Sequence, residues 1–502
     1  MPSFILELEV SYSGNLLKEH KPGTNLKKLG TKHVLDTKMN VAVAIRNTCK
    51  KEALRRLHIL QHDREYQALI KEYRACKSDK KSVAEINQKL RAVKKRVKFE
   101  EYDLHKYALY SKHQYSDILG ADECQKLATQ AFKSVEKILY GKSKKVIFLP
   151  RTSDSSVEGK SNKSTLKYIG DACIQFGKEN QYPLVIKKKD AYAIEALKHP
   201  VKYVRLVRRT IRGRQRYFAQ LVMDGIPPKT KNLNYGRENS RVGLDEGVST
   251  IAVVSEKKVM LRELAPNTAI DEKKLRKLNR AMERSRRATN PGNYNSDGTV
   301  KKGKKVWKKS NRYRKLETKR KELYRRSAWN RHTSHQALAN EIVKLGLDIR
   351  VEEMHISGLA RKAKKTTVNK KNGRKRSKKR YGKTVMSRAP AALIAAINQK
   401  LSYVGEGIKK INTFTVKASQ YDHVSNTCNK KPLNQRWHTL PDGMKIQRDL
   451  YSGFLICYTN DELDHVDRKA CIHNFKHFKE LHDQEIAYLK ELDNQDLRWY
   501  IA

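Results

Sequence analysis

Three short segments, far apart in the chain, each set a carboxylate at the edge of an apolar stretch: Val242-Gly243-Leu244-Asp245-Glu246-Gly247, Ile349-Arg350-Val351-Glu352 and Gln447-Arg448-Asp449-Leu450. Asp245 follows two buried-type residues and precedes a turn made tight by glycine, so it stands where a strand emerges. Glu352 ends a second short strand, and Asp449 opens a helix. Strands alternating with helices predict an α/β layer in which acids from distant segments converge. Taken singly, each acid is an ordinary strand-end or helix-cap residue. Taken together, they are the oxygen ligands that two-metal phosphodiester hydrolysis requires, with the ions about 3.5–4 Å apart and no need of histidine or cysteine.

The rest of the chain reads as further units. Phe4, Leu6, Leu8 and Val10 alternate with Ile5, Glu7, Glu9 and Ser11, the two-residue period of a strand with one buried face. Helical spacing governs residues 36–141. Between 142 and 240 the pattern returns to strands: KKVIFLP, YPLVIKK, and VKYVRLVRRT turning at Ile211-Arg212-Gly213-Arg214 into QRYFAQLVMDG. Pairing of the first strand with this later set would make the helices an insertion into one β-domain. Beyond Arg241 come the strand VGLDEG, the hairpin TIAVVSEKKVML, a basic helical stretch, the strand DIRVEEM, a helix, a third strand NTFTVKAS and a short helix.

Charge narrows the partner. Lys plus Arg number 108 against 53 Asp plus Glu, a formal excess of +55 over 502 residues, which points to nucleic acid. Arg205, Arg208, Arg209, Arg212, Arg214 and Arg216 give the hairpin a basic surface. Arg312, Arg325 and Arg326 do the same for a helix through about Leu345, and Arg374 and Arg376 for the run from Arg361 to Lys383. Tyr313, Tyr324 and Trp307 could stack on bases or pack in a core. No run reaches the roughly 18–20 apolar residues of a spanning helix, and Met1-Pro2-Ser3-Phe4 does not open a leader, so no membrane partner is expected. Seven cysteines without a Cys-x-x-Cys pair fit reduced thiols in a cytoplasmic protein.

The three acidic segments resemble the RuvC motifs of the TnpB family of insertion-sequence proteins and the compact type V CRISPR effectors related to it. The first motif is apolar-Gly-apolar-Asp-x-Gly, the second Val351-Glu352-Glu353-Met354-His355-Ile356-Ser357-Gly358, the third Arg448-Asp449-Leu450. The resemblance implies that Asp245, Glu352 and Asp449 are catalytic and metal-binding, with magnesium (or manganese in its place) as cofactor. Register favours Glu352 over Glu353, and Glu246 and Glu353 become solvent-exposed or supporting neighbours. It also implies a fold class of α/β plus β-barrel. Residues 1–35 and 142–240 would form a wedge-like β-domain carrying a helical recognition domain at 36–141. Residues 241–418 would form a RuvC/RNase H-like nuclease domain, 419–446 an insertion, 447–459 the last nuclease segment and 460–502 a charged extension.

The activity so implied is RNA-guided DNA cleavage beside a short flank motif. Its partners would be a guide RNA encoded near the gene, a double-stranded DNA target and the displaced strand, in a prokaryotic cytoplasm and at the nucleoid when acting. A DNA binder without cleavage, or a cut-and-join transposase, would use the same fold. The sequence departs from the family at 419–446, where relatives carry two Cys-x-x-Cys pairs and this chain has only Cys428. His423, Cys428 and His438 match no zinc spacing, so zinc is not expected there, and the loop is expected to be organised partly by Trp437. Tyr451 stands where many relatives have Asn.

Overall fold

The computed structural model describes residues 2–12, 29–76, 79–187, 189–230, 233–266, 268, 270, 272–352, 354–359, 367–368, 375–376, 382–430, 432, 435–492 and 495–501. It divides into two compact units, Met1–Pro228 and Lys229–Ala502.

The first unit holds strands β1 (Ser3–Val10), β2 (Ser155–Glu158), β3 (Leu166–Gly170), β4 (Cys173–Phe176), β5 (Gln181–Val185), β6 (Val201–Ile211) and β7 (Arg214–Asp224). Its helices are α1 (Lys32–His62), α2 (Arg64–Ala75), α3 (Lys80–Arg96), α4 (Glu101–His113), α5 (Ala121–Leu139) and α6 (Ala191–Ala196). As the alternation requires, Phe4, Leu6, Leu8 and Val10 are buried. β1 pairs antiparallel with β7, from Ser3 opposite Asp224 to Glu9 opposite Phe218, and with β5 on its other side. Helices α1 to α5 are therefore threaded between the first strand and the rest of its sheet. The sheet has the order β2-β6-β7-β1-β5-β4-β3 and comes near the expected barrel, because β3, at its far end, curls back to pack against β6.

Residues 144–150, read as a strand from KKVIFLP, belong to no sheet. They lie along α1, where Lys50 Nζ donates to the Ile147 carbonyl (2.8 Å) and the Asn47 amide both donates to and accepts from the Leu149 backbone (2.7 and 3.3 Å). Two side chains of the helix thus do what a ladder partner would have done.

The second unit contains β8 (Arg241–Glu246), β9 (Thr250–Ser255), β10 (Val259–Glu263), β11 (Asp348–Glu352), β12 (Thr367–Val368), β13 (Lys375–Arg376), β14 (Lys409–Ile411), β15 (Tyr421–Asp422), β16 (Thr427–Cys428), β17 (Trp437–Thr439) and β18 (Lys445–Gln447). Between and after them run α7 (Glu272–Thr289), α8 (Asn311–Leu345), α9 (Ile356–Leu359), α10 (Gly382–Arg388), α11 (Pro390–Ser402), α12 (Thr413–Val416), α13 (Arg448–Cys457), α14 (Arg468–Glu491) and α15 (Gln495–Ile501). The main sheet has the order β10-β9-β8-β11-β14. β8, β9 and β10 form an antiparallel meander, while β11 runs parallel to β8 and β14 parallel to β11.

Both faces of this sheet are covered. On one, Val242, Leu244, Ile349 and Val351 pack against Ile342 of α8 and Leu393 and Ile397 of α11. On the other, Ala252, Val254 and Ile411 pack against Leu450, Phe454 and Cys457 of α13 and, further out, Phe478 and Leu489 of α14 and Leu497 of α15. Each such side chain taken fully from water contributes about 1.5–3 kcal/mol. Helices α14 and α15 are thus part of the core: buried Glu485 of α14 accepts from the Leu261 amide (2.9 Å) and Arg262 Nη1 (2.6 Å) of β10.

The strand expected over NTFTVKAS is displaced. The ladder ends at Ile411; Asn412 then caps a helical turn by accepting from the Phe414 amide (3.0 Å), and Lys417 turns left-handed at φ 46°.

Candidate active site

Parallel register brings two of the three acids side by side. β8 and β11 run in step with Leu244 opposite Val351, so Asp245 and Glu352 follow at the same, carboxyl-terminal edge of the sheet. Asp245 sits opposite Ala252 and Glu352 opposite Ile411, and both of those side chains point into the core beneath α13. Side chains paired across a ladder share a face, so the two carboxylates point to the α13 side as well. Asp449 lies in the first turn of α13, whose start is fixed by Gln447: its Oε1 accepts from the Leu450 amide at 2.7 Å.

The helix lies unusually close to the strand. A Cβ placed on Gly243 would stand 2.1 Å from the Gly453 carbonyl and 2.5 Å from the Cys457 nitrogen. Gly453 is one helical turn beyond Asp449 and Gly243 is two residues before Asp245. This backbone-to-backbone approach is what brings the third acid to the first two.

Electrostatics record the result. Burial, together with the charges of Asp449 and Glu352, holds the Asp245 carboxyl well above the usual carboxylate range. Burial also raises Glu352. Glu246, whose expected place was solvent or a supporting contact, is only 3% exposed and takes the opposite register of β8, towards the α8–α11 core. Burial pushes it up to about 7. Glu353 lies outside the described residues.

Asp449 has basic partners. Arg448 Nη2 and Nε donate to its Oδ1 (3.1 and 3.2 Å), Gln447 Nε2 approaches Oδ2 at 3.4 Å, and Arg436 Nη1 lies 3.7 Å from Oδ2. Among the described residues no three His, Cys, Asp or Glu side chains are gathered closely enough to hold a metal ion as they stand. The donor set nonetheless fits a hard divalent cation: it is all oxygen, and the charges of Asp449 and Glu352 that raise the Asp245 carboxyl are what a cation between them would offset.

No family model matches the sequence, and no curated protein matches it. Among solved structures, one match is the "Cryo-EM structure of the Cas12f1-sgRNA-target DNA complex", at 13% identity and TM-score 0.42 over 86% of this chain and 83% of that one. A second is the "Cryo-EM structure of CRISPR-Cas12f Ternary Complex", at 12% identity and TM-score 0.24 over 84% and 82%.

The candidate phosphate-binding arginines divide. Arg208 is a correction: it is 1% exposed and donates to the Ser153 and Arg151 carbonyls and to Asn40 Oδ1, so it holds α1 and the 151–153 turn against β6. Arg205 is paired with Glu158 at 2.8 Å, Arg209 with Glu7 at 2.5 Å, and Arg216 with Glu9. Arg212 and Arg214 stand exposed at the hairpin tip. On α8, Arg312 is exposed, while Arg325 and Arg326 share Glu322 (2.7 and 3.2 Å). Arg374 and the side chain of Arg376 lie outside what is described. Tyr313 is half-buried with Lys309 Nζ over its ring, and Trp307 is held beneath Arg286 at 4.7 Å, whereas Tyr324 is exposed. Trp329, 64% exposed on the same helix, adds an aromatic that the sequence did not single out. No described helix is long and apolar enough to cross a membrane.

The described residues of the 419–446 segment, with Gln447, include two hairpins, β15–β16 and β17–β18. His423 Nδ1 meets Tyr451 Oη at 2.7 Å, His438 Nε2 meets Asp422 Oδ2 at 3.1 Å, and His438 stacks on Tyr451. Cys428 is exposed on β16. Trp437 packs against the α14 side, its ring edge-on to His482. Tyr451 therefore serves the hairpins, on the side of α13 away from the acids.

Burial depresses His423 to about 4 from an ordinary 6.5. Its neutral form is favoured by folding, so the associated stability is present above pH 6.5 and lost as pH falls towards 4, ~3 kcal/mol in all. Melting temperature followed over that window should fall less steeply for His423→Gln than for the parent. Equal slopes would show that His423 does not titrate on unfolding.

Proposed function

We propose that this chain is an RNA-guided, magnesium-dependent DNA endonuclease of the TnpB type, cutting beside a short flank motif with a single RuvC/RNase H-like site. The observation that carries this reading is the approach of Asp245, Glu352 and Asp449, from β8, β11 and α13, on one face of a sheet whose first three strands form a meander and whose next two run parallel to the first of them. Motifs that resembled a family only as strings of residues are supported by a shared location.

Magnesium bound there supplies activation of the attacking water and neutralisation of the leaving oxygen. The chain's own residues prepare this. Asp245 and Glu352 present their oxygens from adjacent strands, fixed by the ladder rather than by a loop. Arg436 and Arg448 hold Asp449 in place and put positive charge beside an incoming phosphate. Arg312, Tyr324 and Trp329 along α8, with the excess of +55, suit a phosphate backbone and bases offered for stacking. A guide RNA encoded beside the gene, a duplex target and its displaced strand are the partners this reading requires.

The test is to express the protein with its native flanking DNA, purify the ribonucleoprotein and challenge it with guide-matched plasmids bearing randomised flanks, with magnesium present. Cutting at one flank motif, set by the copurified RNA, is expected. Guide-dependent binding without cutting would replace the reading with a DNA binder, and RNA-independent joining of ends with a transposase.

A further inference from the structure

The last helix reaches into the carboxylate site, although its sequence carries no acidic motif. Tyr500 of α15 meets both sides of that site. Its Oη lies 2.7 Å from Ser249 Oγ, in the turn that follows Asp245 and leads into β9. Its ring lies under the Arg436 guanidinium at 4.4 Å, the same guanidinium that stands 3.7 Å from Asp449 Oδ2. Its carbonyl faces Gln447 Nε2 at 3.4 Å, and that amide also approaches Asp449 Oδ2 at 3.4 Å while its oxygen caps α13.

The neighbouring α14 supports the same junction. His482 is buried, its Nε2 accepts from the Gln447 backbone amide at 3.0 Å, and Asp483 Oδ1 lies 2.9 Å from its Nδ1. A proton on Nδ1, facing the carboxylate, leaves Nε2 free to accept. The backbone entering α13 is thereby held at the residue that caps it, two positions before Asp449.

We propose that Tyr500 is a positioning residue for divalent-cation binding: it ties the turn after Asp245 to the two groups, Arg436 and Gln447, that orient Asp449. This rests on the carboxylate reading above. Asp245 and Asp449 belong to elements more than 200 positions apart in sequence (449 − 245 = 204), and Tyr500 touches the surroundings of both. Partners one step removed from a metal commonly govern its affinity by 10–100-fold.

The experiment is a titration of the full-length protein with Mn²⁺, followed by the loss of the free-ion electron paramagnetic resonance signal, on the parent, Tyr500→Leu, Tyr500→Phe and Asp245→Asn. Tyr500→Leu removes the hydroxyl and the ring and should weaken Mn²⁺ binding about 10–100-fold. Tyr500→Phe keeps the ring under Arg436 and loses only the Ser249 bond, so its affinity should fall between the two. A merely structural role would lower the melting temperature and leave affinity unchanged in the folded fraction. If Tyr500→Leu does not fold, Tyr500→Phe and Ser249→Ala carry the test, both being expected to weaken binding. Affinity lost in Asp245→Asn but unchanged in the Tyr500 and Ser249 variants would overturn the positioning role alone. Absence of Mn²⁺ binding by the parent, or binding indifferent to Asp245→Asn, would overturn the carboxylate reading itself.

Discussion

Replacing Asp245 with Asn should lower cleavage by about three orders of magnitude and at the same time raise the melting temperature of the metal-free protein. On the proposed function, the first effect follows from removing one oxygen of the set that would hold the cation: several kcal/mol of transition-state charge stabilisation, about 4, corresponds to a thousandfold in rate. The second follows from the sign of the pKa shift. The Asp245 carboxyl titrates well above its ordinary range, pushed there by burial and by Asp449 and Glu352. Stability linked to a raised carboxyl is full below its unfolded pKa and is lost as pH rises through the folded one. Above the ordinary carboxylate range of pH the parent has therefore lost stability that Asn, nearly the same in shape and without a titrating group, keeps.

Divalent cation should reverse the order. A cation at a hundred times its dissociation constant stabilises the parent by about 2.7 kcal/mol, and the variant by less. Melting curves in chelator and in magnesium, with cleavage measured alongside, check the prediction. An Asn variant that is less stable than the parent in chelator would mean that the three acids do not crowd one another. RNA and target binding, measured separately on the variant, should be unchanged, and their loss would count against a purely catalytic role.

Much of the fold was legible because period-two patterns survive in it. Phe4 to Val10, the β6–β7 turn at Arg212-Gly213 (φ 49° and 81°) and the strand ends at Asp245 and Glu352 all lie where their neighbours' alternation puts them. The same rule, applied to Arg208, would have prevented its reading as surface. Val204, Leu206 and Arg208 share the inward face of β6, so the guanidinium had to find buried acceptors, and charge alone concealed this. The pattern of α14 was hidden likewise. Phe478, His482, Glu485, Ile486 and Leu489 recur at helical spacing and are all buried, but the exposed charges between them dominated the composition.

Other features had no local signal. Residues 144–150 carry an apolar run typical of a strand, yet the Ile147 carbonyl and the Leu149 backbone find their partners in Lys50 and Asn47 of α1. The turn at 413–416 has β-branched residues that favour a strand, yet Asn412 caps it and Val416 is buried as a helical residue. Contacts of Tyr500 with Ser249 and Arg436 depend on where two chain ends of the unit meet, which no window of sequence encodes.

The glycine pair sets a second large effect. Gly243→Ala should destabilise the second unit by about 3 kcal/mol or more, because the new Cβ meets the Gly453 carbonyl and the Cys457 nitrogen, which belong to helix backbone and cannot turn aside. Gly292 is the control in the same unit: nothing lies within 4 Å of its would-be Cβ and its φ is not in the left-handed range, so Gly292→Ala should be nearly neutral. Chemical denaturation of the two variants measures the difference, and equal midpoints would show that α13 can move off the strand cheaply. The consequence for activity is sharper than for stability. Any relaxation that accommodates the added methyl group must lift α13 at Gly453, one turn from Asp449, while Asp245 and Glu352 stay in their ladder. The folded fraction of Gly243→Ala should then have lost cation affinity and cleavage although all three carboxylates remain in its sequence, which separates possession of the motifs from the geometry that makes them one site.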